Sequence, residues 1–268
     1  MLFDYHLHSD FSADSKMTLK DICETAVQKN LSEIAVTDHH DIDYQDDQIE
    51  FNLDKNKYLD ELEKYQNLYA DRLTIKKGIE MGMQTHILNQ CDQYLKDDFD
   101  FIIASFHTAE KKDLFNGDFF KNYQQWEAYL RYLQSILEVI DNFDNYSVIG
   151  HLDLVRRYGY YETTPDLMDN NKAVELIREI LKKIIKNDKG IEVNTTGYYI
   201  GNGQNPLPSI KILKLYKELG GEILTIGSDS HSKNQIAYKF LETIALLKKI
   251  GLNKLTTFTK MKPTFHKI

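Results

Sequence analysis

The chain alternates between short apolar strand segments and amphipathic helical segments along most of its length. Alternation of this kind, with buried and largely β-branched strands, predicts a parallel sheet covered by helices. Seven such units in 268 residues favour a closed or nearly closed (β/α) barrel, and a doubly wound open sheet is the alternative. The predicted strands lie at residues 2–7, 33–37, 73–79, 99–104, 146–150, 190–193 and 223–226. The predicted helices lie at residues 18–30, 55–71, 119–141, 170–187, 208–219 and 234–250.

Composition limits the number of domains and the kinds of partner. The chain has no Pro-, Gly- or Ser-rich linker and no repeat, so we expect one domain over residues 1–268. A net charge of −8 without a basic stripe argues against nucleic-acid binding. No apolar run is long enough for a membrane span, and the N-terminus lacks a signal-peptide pattern. Cys23 and Cys91 are isolated, so we expect buried, reduced thiols in a cytoplasmic protein.

The first predicted strand ends in a His-x-His pair, His6 and His8. Residues two apart in a strand point to the same face, so the two imidazoles project together. Such a pair is suited to bind a transition metal. On its own, the pattern is equally consistent with two half-buried strand histidines that bind no metal. The positions of the other histidines therefore decide between these two interpretations. Asp14 follows in a loop that can fold back over the pair.

Potential metal ligands follow six of the seven predicted strands at their C-terminal ends. In a barrel these ends converge on one rim, where such enzymes keep their active sites. Imidazole and carboxylate groups without thiolates suit Zn, Mn or Fe, and nine of them are enough for two or three ions. The nine candidate ligands are His6, His8, Asp14, His39, Glu80, His107, His151, Asp229 and His231.

Three further histidines fall outside this pattern. His86 and His266 do not follow a predicted strand, and we expect neither to be functional. His40 is adjacent to His39 and must point elsewhere, either behind the ligands or into a packed or exposed position.

Six motifs, in this order, resemble those of the polymerase-and-histidinol-phosphatase (PHP) superfamily. They are His6-Leu7-His8-Ser9, Thr37-Asp38-His39, Gly78-Ile79-Glu80, Ser105-Phe106-His107, Gly150-His151 and Gly227-Ser228-Asp229-Ser230-His231. More narrowly, the chain is similar to the monofunctional histidinol-phosphate phosphatases. That similarity rests on Phe11-Ser12-Ala13-Asp14, on residues 150–158 and on Glu192-Val193-Asn194-Thr195. The resemblance implies a distorted (β/α)7 barrel that hydrolyses L-histidinol phosphate to L-histidinol and phosphate in histidine biosynthesis.

The resemblance also implies three divalent ions, which would be Zn, Mn or Fe. The first would be held by His6, His8, Glu80 and Asp229. Glu80 would bridge to a second ion held by His107 and His151. The third would be held by Asp14, His39 and His231. Relatives often have a histidine in place of Asp14, so Asp14 is a ligand or a proton donor.

Phosphomonoester hydrolysis needs further groups beside the metal ions. It is among the slowest uncatalysed reactions, and its transition state spreads charge over the phosphoryl oxygens. A hydroxide that bridges the first two ions is the natural nucleophile. Arg156 or Arg157 would bind the phosphate, and alternation from His151 slightly favours Arg157. Asp14 or His231 would protonate the departing alkoxide.

Other residues and functions remain open at this point. Asn194 either supports the ligands or caps the loop that follows it, and Tyr198 and Tyr199 are weaker candidates to flank a substrate ring. The expected partner is a small-molecule phosphate ester. The alternatives are a PHP-type phosphoesterase acting on another small phosphate ester or nucleotide, and a metal-binding module without turnover. The basic segment 253–268 would either close the last edge of the barrel or pack on a helix.

Overall fold

Parallel strands and the helices between them make up most of the chain. The computed structural model describes residues 2–45, 49–96, 98–159, 161–199 and 205–268. The strands are β1 Phe3–Asp4, β2 Glu33–Val36, β3 His39–His40, β4 Thr74–Gly82, β5 Phe101–Ser105, β6 Thr108–Ala109, β7 Lys112–Asp113, β8 Val148–Ile149, β9 Gly190–Asn194, β10 Leu224–Gly227, β11 Lys254–Thr259 and β12 Lys262–Lys267. The α-helices are α1 Leu19–Gln28, α2 Lys55–Leu68, α3 Leu88–Leu95, α4 Gln125–Asn142, α5 Asn171–Lys186, α6 Ile210–Glu218 and α7 Phe240–Ile250.

Seven strands form a nearly closed parallel barrel in the order β1, β2, β4, β5, β8, β9 and β10. The short β3 pairs with the far end of β4. The two ends of the order meet, because Tyr5 N donates to Ile226 O at 3.0 Å and His8 N donates to Ser230 O at 3.1 Å. A parallel bridge between Leu7 and Ser230 adds to this closure. The predicted barrel is therefore confirmed, and the alternative of an open doubly wound sheet is wrong.

The helices bury one apolar face against the barrel, and three of them, α1, α2 and α5, are capped by a polar side chain at the N-terminus. Thr18 and Asp21 form a reciprocal capping box at the start of α1, and Asn170 caps α5. The inner face of α5 buries Ile177, Ile180 and other apolar residues, while its charged residues face outwards. Among the described residues, no helix has the length and apolar character to cross a membrane.

Three helices differ from the sequence-based expectation. Helix α4 begins at Gln125 and not at residue 119, and a separate 3₁₀ turn at Asp118–Phe120 precedes it. Helix α3 was not predicted, because its eight residues offer only Leu88, Cys91 and Leu95 as a short apolar stripe. Helix α7 begins at Phe240 and not at residue 234, because Ala237 and Lys239 adopt positive φ angles of 51° and 56°. The backbone N–H of Ala237 donates to the buried carboxylate of Asp4, which holds this turn.

The segment 253–268 takes neither of the two expected positions. It forms the antiparallel hairpin β11–β12, which lies across the N-terminal ends of barrel strands. Leu224 N, at the start of β10, donates to Thr256 Oγ1, and Met261 N donates to Asp100 O just before β5. Phe258 is 2% exposed and its ring centroid lies 5.2 Å from that of Phe101. The hairpin therefore covers the barrel floor, opposite the rim on which the candidate ligands lie.

Replacement of Phe258 by alanine should remove much of this floor packing. We expect Phe258→Ala to lower the free energy of unfolding by about 3–5 kcal/mol, because it leaves a cavity under the barrel. Urea denaturation followed by circular dichroism measures the change. The matched control is Phe265→Ala in the same hairpin, where the side chain is 44% exposed and the expected change is within about 0.5 kcal/mol. Equal effects of the two substitutions would contradict this role of the hairpin.

Candidate metal centre

The C-terminal ends of the barrel strands surround a cavity of about 340 Å³. His6 and His8 are fully buried behind it. The other seven predicted ligands line it: Asp14, His39, Glu80, His107, His151, Asp229 and His231. All nine residues are thus brought together by the topology.

Glu80 lies at the middle of this group, near the end of the long strand β4. Its side chain is buried, and each of its two oxygens faces more than one imidazole nitrogen. Oε2 lies 3.0 Å from His6 Nε2, 3.3 Å from His8 Nε2 and 3.0 Å from His39 Nδ1. Oε1 lies 3.0 Å from His151 Nε2 and 3.2 Å from His107 Nε2. One carboxylate therefore connects five imidazoles that come from separate parts of the chain.

The outer part of the group contains Asp14, Asp229 and His231. Asp229 Oδ1 lies 3.2 Å from His8 Nε2, and Asp14 Oδ2 lies 3.0 Å from His231 Nε2. Asp14 Oδ2 is also 3.6 Å from His39 Nε2. The His8 ring stacks between those of His39 and His231, with centroids 4.3 Å apart on either side. Asp14 and His231 are about one third exposed, so this end of the group faces the cavity mouth.

The donor atoms fit bound divalent ions. Buried atoms without a hydrogen-bond partner among the described residues include His6 Nε2, His8 Nε2, His39 Nδ1 and Glu80 Oε2. Buried polar atoms that lack a partner are costly, and a metal ion between imidazole and carboxylate ligands would satisfy these. Ligand atoms within 4.8 Å of one another occur in sets such as His6, His8 and Glu80, and Glu80, His107 and His151. The arrangement therefore has the chemistry and the spacing of a multinuclear centre.

Only some members of the group favour the protonation state that binds metal. Burial opposes ionisation of Glu80, but His6, His39 and His107 outweigh it and hold the pKa of Glu80 well below its usual range. Burial lowers the pKa of His8 to about 3, with His231 and His39 adding to the effect. In contrast, the surrounding carboxylates outweigh burial and raise the pKa of His6, His39, His107 and His231. Because a cation binds the neutral imidazole, metal binding would displace protons from these four rings.

Further polar residues support the ligands from behind, and sequence reasoning gave them no role. Ser105 Oγ donates to Glu80 Oε1 at 2.6 Å, and Asp41 Oδ2 lies 2.6 Å from His107 Nδ1. Carboxylates in this position fix the tautomer and orientation of a ligating imidazole. Asp41 lies two residues after His39, and side chains two apart along a strand point to the same face. This spacing was the signal in the sequence that Asp41 faces the candidate ligands.

The two arginines occupy different places. Arg157 lines the cavity, with its guanidinium 5.2 Å from the ring centroid of Tyr158. Arg156 turns away, donating to Asp153 Oδ2 at 2.8 Å and to Pro165 O at 2.9 Å. The two belong to a 3₁₀ helix at Leu154–Arg157, whose successive side chains point in different directions. The candidate role of Arg156 at the phosphate is therefore corrected to a structural ion pair.

An apolar wall borders the cavity beside the charged groups, with Phe51 next to His39 and Tyr158 next to Arg157. It consists of Tyr44, Ile49, Phe51, Phe115, Leu154 and Tyr158. Sequence reasoning missed this wall, since most of these residues lie in loops without a periodic pattern. The buried carboxylate of Asp113 holds part of it, accepting from Tyr44 Oη at 3.0 Å and from Phe115 N at 2.9 Å.

The remaining candidates occupy other positions. Tyr198 and Tyr199 do not line the cavity: Tyr199 stacks on Tyr238 at 4.3 Å, and Tyr198 Oη accepts from Thr243. Asn194 makes contacts that match each of its two alternative roles. Its amide N lies 3.3 Å from Oδ2 of the candidate ligand Asp229, and its oxygen caps the following turn by accepting from Thr196 N.

The other histidines and the thiols lie apart from the site. His40 stacks on Tyr94 with a 3.8 Å centroid separation, so it is packed. His86 pairs with Asp43 at 2.7 Å, and His266 with Thr257 at 2.8 Å. Cys23 and Cys91 are buried and free.

Comparison with known proteins agrees with this geometry. A family model described as the PHP domain matches residues 4–196 of the chain. The chain belongs to the PHP family. The resemblance that the motifs indicate is thereby confirmed.

Two curated relatives cover nearly the full length of this PHP protein. The histidinol-phosphatase of Lactococcus lactis is 33% identical over 261 residues, which is 97% of this chain and 95% of the relative. A probable histidinol-phosphatase of Clostridium acetobutylicum is 31% identical over 255 residues, or 94% and 95% of the two chains.

A solved structure shares the fold of this PHP protein over its whole length. It is the histidinol phosphate phosphatase of Lactococcus lactis, complexed with Zn, L-histidinol and phosphate. It superposes with a TM-score of 0.87 at 31% identity and covers 98% of both chains.

Removal of divalent metal should destabilise the protein. An ion that binds only the folded state adds about 2.7 kcal/mol at a free concentration 100-fold above its Kd. We therefore expect a chelator to lower Tm, measured by scanning calorimetry, and added Zn²⁺ or Mn²⁺ to restore it. Glu80→Gln should abolish this metal-dependent shift, whereas His86→Gln, outside the cluster, should keep it. If neither the chelator nor added metal changed the Tm of the wild type, the result would contradict a metal centre.

Proposed function

We propose that the protein is a metal-dependent phosphomonoesterase that hydrolyses L-histidinol phosphate to L-histidinol and phosphate, a step of histidine biosynthesis. The observation that carries the proposal is the convergence of all nine candidate ligands at one cavity, seven lining it and two buried behind it. This set occurs in a chain 31% identical to a structure complexed with Zn, L-histidinol and phosphate. The small-molecule partner is therefore the phosphate ester of an imidazole-bearing amino alcohol.

The proposed centre holds three divalent ions, which are Zn, Mn or Fe. His6, His8, Glu80 and Asp229 would hold the first, and the spacing of their donor atoms supports this. Glu80, His107 and His151 form a second compact set. The third set would be Asp14, His39 and His231, in which Asp14 Oδ2 lies within 3.6 Å of both imidazoles.

The residues around the centre have distinct roles in the proposed reaction. Bound divalent ions would supply Lewis-acid stabilisation of the phosphoryl oxygens and an activated water for attack on phosphorus. Arg157 would donate to the phosphoryl oxygens, where its planar fork matches their spacing. Asp14 and His231 lie together at the cavity mouth, so one of them can hold the proton that the leaving alkoxide requires. The apolar wall would exclude water and contact the organic part of the ester.

We also propose that residues 1–268 form one domain that works in the cytoplasm. Hydrogen bonds from Tyr5 and His8, just after β1, to Ile226 in β10 and to Ser230 just after it join the first and last units of the barrel. This closure supports a single folding unit. Cys23 and Cys91 are free and buried, and such thiols are typical of a reducing compartment.

Phosphate release tests the proposed substrate. We expect kcat/KM for L-histidinol phosphate to exceed that for other monoesters, including sugar phosphates, nucleotides and phosphotyrosine. Activity should disappear on chelation and return with metal. Chelator-sensitive turnover of a different ester would contradict the substrate, and metal-loaded protein without turnover of any ester would contradict the enzyme activity.

Loss of Arg157 should weaken transition-state binding in this assay. We expect Arg157→Ala to lower kcat/KM by about 10²-fold or more, because it removes a charge-assisted donor from the phosphoryl group. The matched control is Arg178→Ala on the outer face of α5, an exposed arginine for which we expect wild-type rates. If Arg157→Ala retained full kcat/KM, Arg157 would have no role at the phosphate.

A further inference from the structure

Strand β9 is the one barrel strand to which no metal ligand is assigned. It carries Glu192, whose side chain is buried beneath the centre at 1% exposure. The proposed mechanism does not use this carboxylate. A buried carboxylate is costly unless it is paired or hydrogen-bonded, so its contacts indicate what it does.

Glu192 contacts candidate ligands that follow β1 and β8, and it reaches a third, after β10, through Asn194. Its Oε1 lies 2.6 Å from His6 Nδ1. Its Oε2 accepts from His151 N at 3.0 Å and from Asn194 Nδ2 at 3.2 Å. Asn194 Nδ2 in turn lies 3.3 Å from Asp229 Oδ2. One side chain thus connects three proposed ligands, two of them directly and one through Asn194.

The neighbouring strands leave room for this carboxylate. A Cβ on Gly227, at the end of β10, would lie 2.3 Å from Glu192 Oε1 and 2.4 Å from His6 Cβ. A Cβ on Gly150, just after β8, would lie 2.7 Å from Ser105 Oγ and 3.6 Å from Glu192 Oε2. Any larger residue at Gly227 would therefore separate Glu192 from His6.

The geometry of His6 indicates that Glu192 orients this candidate ligand and does not bind a metal ion itself. Its Nδ1 faces Glu192 while its Nε2 faces Glu80 at 3.0 Å and has no hydrogen-bond partner in the described part of the chain. If Nδ1–H donates to Glu192, the lone pair of Nε2 is directed at the centre. We infer that Glu192 is a positioning residue that fixes the Nδ1–H tautomer of His6 and, through His151 and Asn194, sets the spacing of the metal ligands.

This inference rests on the proposed metal centre, and its first test measures metal affinity without any turnover. Glu192→Gln keeps the volume but replaces one acceptor oxygen by an NH₂ group, which cannot accept from His151 N or Asn194 Nδ2. We expect its affinity for Zn²⁺ to fall about 10- to 100-fold. Competition with a chelator of known affinity, followed by elemental analysis, measures this. The Tm of the metal-free variant should remain close to that of metal-free wild type.

Asp153→Asn is the matched control, since Asp153 is a buried carboxylate that pairs with Arg156 and accepts from Ser209 N, away from the ligands. We expect it to lower Tm and to retain wild-type Zn²⁺ affinity. Wild-type affinity in Glu192→Gln, or an equal loss in Asp153→Asn, would overturn the inference and leave the proposed function intact. Absence of Zn²⁺ binding by the wild type would overturn both.

A second measurement uses only the wild type, so it does not depend on a variant that folds. In Zn²⁺-loaded protein labelled with ¹⁵N-histidine, we expect the His6 ring to show a protonated, slowly exchanging Nδ1 and a metal-bound Nε2. A metal-bound Nδ1, or an Nδ1 without its proton, would overturn the role assigned to Glu192.

Discussion

The arrangement of the barrel rim depends on the charge of Glu80. This carboxylate lies in the protein interior with five imidazoles around it, on a strand between β5 and the pair β2 and β3. Register places His39 directly beside Glu80, and the neighbouring strands place the other four rings around it. Because an isolated buried carboxylate would be strongly destabilising, the imidazole rings around Glu80, with the divalent ions proposed between them, would offset the cost of this burial. The proposed centre would therefore couple folding to metal binding.

A second set of buried carboxylates supports the ligands without joining them. Asp4 accepts from Ser228 N and Oγ and from Ala237 N, which fixes the loop that carries Asp229. Asp38 accepts from Ser9 N and from the hydroxyls of Ser9 and Ser12. Burial raises the pKa of each of these two aspartates to about 6, although hydrogen bonds oppose the shift. The rim loops are thus held by hydrogen bonds between segments distant in the sequence, and these bonds restrict where the candidate ligands can lie.

Sequence reasoning located the nine candidate ligands because two simple rules apply to them. Parallel strands end on one rim, and side chains at those ends converge whatever the details of packing. The same reasoning could not choose firmly between Arg156 and Arg157, because a 3₁₀ turn and the partner Asp153 set their directions. It also missed the apolar wall and the β11–β12 hairpin. Both depend on tertiary contacts of segments that carry no periodic pattern.

The distribution of charge explains how an acidic chain can favour a small phosphate ester. With a net charge of −8, the surface repels long polyanions, and this repulsion acts over about a Debye length. Three divalent ions would exceed the charge of Asp14, Glu80 and Asp229 together, so the cavity itself would be positive. A monoester small enough to enter the cavity would experience the positive field of the bound ions more strongly than the negative field of the protein surface. Arg157 would then bind the phosphoryl group, while the neighbouring apolar wall would contact the organic group.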